Sequence, residues 1–174
     1  TFGNVFTDHM LVCDYVDGAW QKPVIEPYAP FMIDPSAKVF HYGQAIFEGM
    51  KAYKDQQDDV WLFRPDENFH RFNKSSTRMA MPEVPEDVFL GGLHRLLEIE
   101  KEWVKKGKGN TLYIRPFMIA TGHGVIAAPS QEYRFMIILS PARAYYSGEV
   151  KVIIAEHYSR AANGGIGAAK AAGN

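Results

Sequence analysis

The sequence predicts an α+β domain: a mainly antiparallel sheet packed with two helices. Two observations carry that class. Strand-like segments come first, two helical segments follow, and strand-like segments then return. The chain is also rich enough in apolar residues to bury a core, with 47% hydrophobic and 13% aromatic residues in 174. A domain of this length buries roughly 70% of the surface its unfolded chain exposes. One domain is the default reading.

The elements follow in order. Residues 10–15 (Met-Leu-Val-Cys-Asp-Tyr) read as a strand, and Asp17-Gly18 supplies a hairpin turn before Trp20. Pro23, Pro27, Pro30 and Pro35 keep the next stretch extended. Phe47 to Lys54 suits a strand and Val60 to Phe63 its partner, joined through the polar loop Asp55–Asp59. The first helix starts at Pro65-Asp66-Glu67, a proline followed by acids at the positive end of the helix dipole. Its inner stripe is Phe69, Phe72, Ser76, Met79 and Ala80, and Pro82 ends it. The second helix starts at Pro85-Glu86-Asp87, and Gly107 closes it. It carries Phe89, Leu93, Leu96, Leu97, Trp103 and Val104 on one side. Gly91-Gly92 inside it costs about 1 kcal/mol per glycine relative to alanine, so close packing against a sheet is the expected reason for the pair. Leu112–Ala120, Tyr133–Leu139 and Val150–Ala155 are three further strands, rich in aromatic and β-branched residues.

Composition excludes several function classes. The net charge is -1, from 19 basic and 20 acidic residues with no long run of one sign, which argues against nucleic acid or an anionic membrane as the main partner. Cys13 is the single cysteine, so no intrachain disulfide forms and a reducing, cytoplasmic setting is expected. Residues 1–5 show no basic stretch leading into an apolar one, so no signal peptide is expected. The longest apolar run, Phe135–Leu139, is too short to span a bilayer. The six histidines and the cysteine have no metal-ligand spacing.

Four features could carry chemistry. Lys170 lies among small residues, Gly164-Gly165-Ile166-Gly167-Ala168-Ala169 before it and Ala171-Ala172-Gly173-Asn174 after it. None of these neighbours can pair with its ammonium group. A partly desolvated amine is a nucleophile towards carbonyls; a loose small-residue tail is the other reading. Residues 40–53 pack aromatics, His41, Glu48 and two glycines into one segment, which suits either a pocket wall or the aromatic face of a core strand. Arg71, Lys74 and Arg78 share one helix face, either a solvated stripe or, with Arg71 beside Phe69 and Phe72, a phosphate grip. Arg115 lies inside an apolar strand and must meet a carboxylate or a rim; Tyr113, two residues away, faces the same way.

Together these segments resemble the N-terminal half of the branched-chain amino-acid aminotransferases, pyridoxal-phosphate enzymes of fold type IV. The matching motifs are HYG-x-x-x-FEGMKAY at 41–53, LFRPDENF-x-R at 62–71, YIRP at 113–116, AYY at 144–146 and GG-x-G-x-x-K-x-x-GN at 164–174. Each is weak alone; five in this order are strong. The resemblance implies that Lys170 holds pyridoxal 5'-phosphate as a Schiff base and acts as catalytic base and acid. It implies that Arg71 binds the phosphate, and that Tyr42, Phe47, Tyr113, Arg115, Val125 and Tyr145 form the substrate pocket. It further implies a homodimer with residues shared across the interface, and transfer of an amino group between leucine, isoleucine or valine and 2-oxoglutarate. Residues 1–155 are then the small N-terminal domain, and 156–174 an interdomain segment and the start of a larger domain. A chain lacking that domain is expected to be inactive alone. The alternatives are a D-amino-acid aminotransferase, an aminodeoxychorismate lyase, or a small domain that only dimerises or binds.

Overall fold

The computed structural model describes residues 3–143 and 148–173. The elements are β1 (His9–Val16), β2 (Ala19–Trp20), β3 (Val24–Pro27), α1 (Lys38–Tyr42), β4 (Ala45–Phe47), β5 (Met50–Lys54) and β6 (Val60–Leu62). These are followed by α2 (Pro65–Arg78), α3 (Gly92–Glu100), β7 (Thr111–Ala120) and β8 (Tyr133–Ala142). The strands form one antiparallel sheet in the order β2-β1-β8-β7-β5-β6, with β3 on β1 and β4 on β7. The predicted α+β class holds.

Strand alternation sorts side chains to the two faces of the sheet. On one face Leu11, Cys13, Ile46, Leu112, Ile114, Met118, Phe135, Ile137 and Leu139 pack under α2 and α3. Phe72, Phe89 and Phe135 lock this layer, with ring centroids 5.3–5.5 Å apart. Burial pushes the Cys13 thiol up to about 11, the neighbouring Asp14 charge adding to it, so it behaves as a core residue. The opposite face carries Met10, Val12, Phe117, Met136 and Ile138. In β7 the odd-numbered residues, Tyr113 and Arg115 among them, turn to this second face.

Several elements differ from expectation, each for a physical reason. The strand predicted over 47–54 is interrupted at Glu48-Gly49. Glu48 N–H reaches Pro116 O at 2.8 Å, but proline has no N–H to return. The second helix is not one continuous α-helix: a π turn at Asp87–Gly91 leads into α3, and a 3-10 turn at Lys101–Trp103 ends it. In α2 Ser75 is buried with Phe69, Phe72 and Ser76, whereas Ala80 is exposed beyond the helix end with φ 54°. Short α1 was not anticipated; its cue is Gly43, whose left-handed backbone terminates it. The strand expected at Val150–Ala155 does not form. Val152, Ile153 and Ile154 are 84%, 97% and 87% exposed with no ladder partner, and strand propensity without a neighbouring strand does not make a strand. No described helix is long and apolar enough to cross a membrane.

Candidate active site

Lys170 is not in a loose tail. Its segment lies antiparallel along β4. Phe47 N–H donates to Lys170 O at 3.0 Å, Ala172 N–H donates to Ala45 O at 2.9 Å, and Ala171 pairs with Ile46. Small residues permit this approach: Ala169 and Ala171 are buried against the core. The Lys170 peptide N–H donates to Ser75 Oγ at 3.0 Å, and that hydroxyl donates to Arg71 O, also at 3.0 Å. One buried serine on α2 therefore ties the Lys170 backbone to the helix that carries Arg71.

The side chain of Lys170 extends over Phe47, with Nζ 5.0 Å from the ring centroid. Arg115 approaches the same ring, its Cζ at 4.7 Å. Register explains the meeting. Phe47 pairs with Phe117 and Lys51 with Tyr113, so Phe47, Tyr113 and Arg115 share the sheet face away from the helices. Arg115 Nη2 donates to Tyr113 Oη at 2.8 Å, and its Cζ lies 5.4 Å from the Tyr113 ring centroid. Among the described residues no carboxylate pairs with Arg115. Gly49 makes room for this arrangement: a Cβ there would come within 2.3 Å of Tyr113 Oη.

Arg71 faces Glu48, the residue after Phe47. Its Nε and Nη2 donate to the two carboxylate oxygens at 2.5 and 2.8 Å. Asn68 Nδ2 adds a bond at 2.8 Å and Gly49 N–H one at 3.2 Å. Burial opposes ionisation of Glu48, but the hydrogen bonds from Arg71, Asn68 and Gly49, with the Arg71 charge, hold its carboxyl below the usual range. The carboxylate in turn raises the pKa of Arg71. Arg71 also lines an open groove of about 400 Å³ with Arg64, Glu67, His70 and Lys74.

Tyr42 and Val125 form a second group. Tyr42 Oη donates to Val125 O. The loop bearing Val125 is pinned by Lys38, whose Nζ donates to Ile126 O at 3.0 Å and Ala128 O at 2.8 Å. Tyr145 lies outside the described residues. The structure thus gathers Lys170, Phe47, Tyr113 and Arg115 with Arg71 alongside, and joins Tyr42 to Val125. Sequence reasoning missed Glu48 and Ser75. Glu48 was visible as the one acid in an aromatic segment; Ser75 gave no signal beyond its place one turn after Arg71.

No family model matches the chain. It is 51% identical to branched-chain-amino-acid transaminase 1 of Bacillus subtilis over 178 residues, covering 99% of this chain and 50% of that protein. With branched-chain-amino-acid aminotransferase 2 of the same organism it shares 47%, covering 100% of this chain and 49% of the relative. The chain spans about half the length of the curated relatives it matches. Among solved structures, Escherichia coli branched-chain amino acid aminotransferase superposes with a TM-score of 0.56 at 17% identity, over 79% of this chain and 40% of that one. An aminotransferase from Brucella abortus bound to the cofactor PLP superposes with a TM-score of 0.58 at 17% identity, over 93% of this chain and 53% of that one. These structures share the fold. Along almost its whole length this chain is similar in sequence to branched-chain-amino-acid aminotransferases, and it matches about half of theirs.

Proposed function

We propose that Lys170, Arg71 and Arg115 serve a pyridoxal-phosphate-dependent amino transfer in the whole protein, between leucine, isoleucine or valine and 2-oxoglutarate. The observation that carries this reading is the convergence of the Lys170 amine and the Arg115 guanidinium on the Phe47 ring. The names of the relatives and the cofactor bound to the Brucella neighbour support the same chemistry. The donor set fits the cofactor: an amine for its aldehyde at Lys170 and a guanidinium for its phosphate at Arg71. When bound, the cofactor supplies the electron sink for the charge left as the substrate Cα loses its proton.

The residues then divide the work. Lys170 Nζ would hold the cofactor at its aldehyde end, and its free amine would move the substrate Cα proton as base and then acid. Phe47 forms an apolar wall for branched side chains, with Val125 and Tyr145 assigned to it by the resemblance alone. Arg115, oriented by Tyr113, takes the distal carboxylate of 2-oxoglutarate or glutamate. We assign residues 1–155 to the small domain and 156–174 to the passage into a larger one. A homodimer completes the reading. The exposed Phe40, Val125 and Ile126 around Tyr42 suit an interface.

The test is borohydride reduction of the protein with pyridoxal 5'-phosphate, followed by peptide mapping. The expected result is one reduced adduct on Lys170, absent in Lys170→Ala together with all transamination. Lack of an adduct at Lys170 in the unaltered protein would refute the assignment. A panel of L-branched-chain and D-amino acids then separates this activity from the other fold type IV reactions.

A further inference from the structure

Glu48 is fully buried, with a side-chain exposure of 0%. A buried carboxylate is costly unless paired and hydrogen-bonded. Here both oxygens are satisfied, by two donors of Arg71, by Asn68 and by the Gly49 peptide. The backbone around it is equally fixed. Glu48 N–H is bonded to β7 through Pro116 O, and Phe47 N–H to Lys170 O. The carboxylate therefore occupies one defined place relative to the Lys170 segment.

Arg71 is its opposite in exposure, with 54% of its side chain open to solvent. A free arginine there would sample many rotamers. The two-point pairing instead fixes the guanidinium plane. Of the five N–H donors of a guanidinium, two go to Glu48. The other three, on Nη1 and Nη2, are not used by Glu48, and the Nη1–Nη2 fork among them can grip a second oxyanion. Asn68 and Arg71 are three apart on α2 and close on Glu48 from one helix face.

We propose that Glu48 is the positioning residue for Arg71, a buried carboxylate that fixes the guanidinium before the cofactor's phosphate arrives. This rests on the function proposed above. An anchor oriented in advance loses less freedom on binding, so removing Glu48 weakens the grip on phosphate and leaves contacts to the pyridine ring untouched. A purely structural ion pair has no such selectivity.

The experiment measures dissociation constants of the full-length protein for pyridoxal 5'-phosphate and for pyridoxal, which lacks the phosphate. Unaltered protein is expected to prefer the phosphorylated form. In Glu48→Gln that preference falls by roughly ten- to a hundredfold, with pyridoxal affinity changing less than about threefold. If Glu48→Gln does not fold, Glu48→Asp is read instead; it keeps the charge but retracts the fork, and a smaller loss of the same selectivity is expected. In an Arg71→Met background, Glu48→Gln adds no further loss of preference. A variant that keeps the full preference, weakens both compounds equally, or acts additively with Arg71→Met overturns the positioning role. Unaltered protein that takes up neither compound overturns the underlying functional reading instead.

Discussion

Arg71, Arg115 and Arg134 differ in what holds them: two are closed on carboxylates and Arg115 is not. Arg134 is closed on Asp14 through Nε at 2.7 Å and Nη2 at 2.9 Å, and Arg71 is closed on Glu48 in the same two-point way. Among the described residues Arg115 meets the Tyr113 hydroxyl and two ring faces but no carboxylate. A cation–ring contact is worth about 0.5–1 kcal/mol at exposed sites, whereas hydrogen bonds to charged groups contribute about 1.5–3 kcal/mol. An incoming carboxylate therefore wins Arg115 from its present partners without breaking an ion pair. Replacing Arg115 with alanine should lower kcat/KM for 2-oxoglutarate and glutamate by roughly ten- to a hundredfold. For leucine, which has no distal carboxylate, the loss should stay within about threefold. Steady-state kinetics of both half-reactions decide it; equal losses would remove Arg115 from the carboxylate site.

The second helical segment shows how a glycine pair serves packing. Gly91 and Gly92 both have helical backbone angles, so neither is kept for conformational freedom. A Cβ on Gly92 would come within 2.8 Å of Leu11 Cδ1, in the core beneath, whereas on Gly91 the nearest atom is the flexible Arg95 Nη1 at 3.5 Å. Gly91→Ala should therefore stabilise the fold by about 1 kcal/mol through helix propensity. Gly92→Ala gains the same propensity but overpacks the core, which costs about 1–3 kcal/mol, and should be neutral to destabilising. Denaturant midpoints of the two variants check this; a stabilised Gly92→Ala would show that Leu11 yields freely. The same segment marks what was legible. The close approach to the sheet, the apolar stripe and the Asp17-Gly18 turn followed from local sequence. The π turn and the break at Glu48-Gly49 did not, because the break depends on Pro116 across the ladder, far along the chain. Val150–Ala155 misled for the complementary reason: its residue types favour a strand, but pairing is decided by neighbours that sequence does not display.

At the scale of the whole molecule, the site is made by bringing residue 170 back to residues 46–48 and to α2. The motifs marked Lys170, Arg71 and Arg115 individually; they could not show that Phe47 is the common neighbour or that Glu48 and Ser75 hold the parts in register. That is tertiary information, carried by strand pairing at one end and by a single hydroxyl at the other. The Lys170 segment adds to β4 through two backbone hydrogen bonds, and Ser75 supplies the side-chain contact that fastens it to α2. Ser75 is fully buried and its bond to the Lys170 N–H partly so, so its removal leaves that N–H half-buried without this acceptor. An unsatisfied buried donor costs about 1–3 kcal/mol, and that cost falls on docking of the segment more than on the sheet, whose β7–β8 ladder spans ten residue pairs. Ser75→Ala should therefore raise amide hydrogen exchange at residues 169–172 by roughly five- to a hundredfold, with protection in β7 and β8 unchanged. Uniform loss of protection would mean that Ser75 supports the core generally, and unchanged exchange at 169–172 would mean that β4 alone holds Lys170 in place.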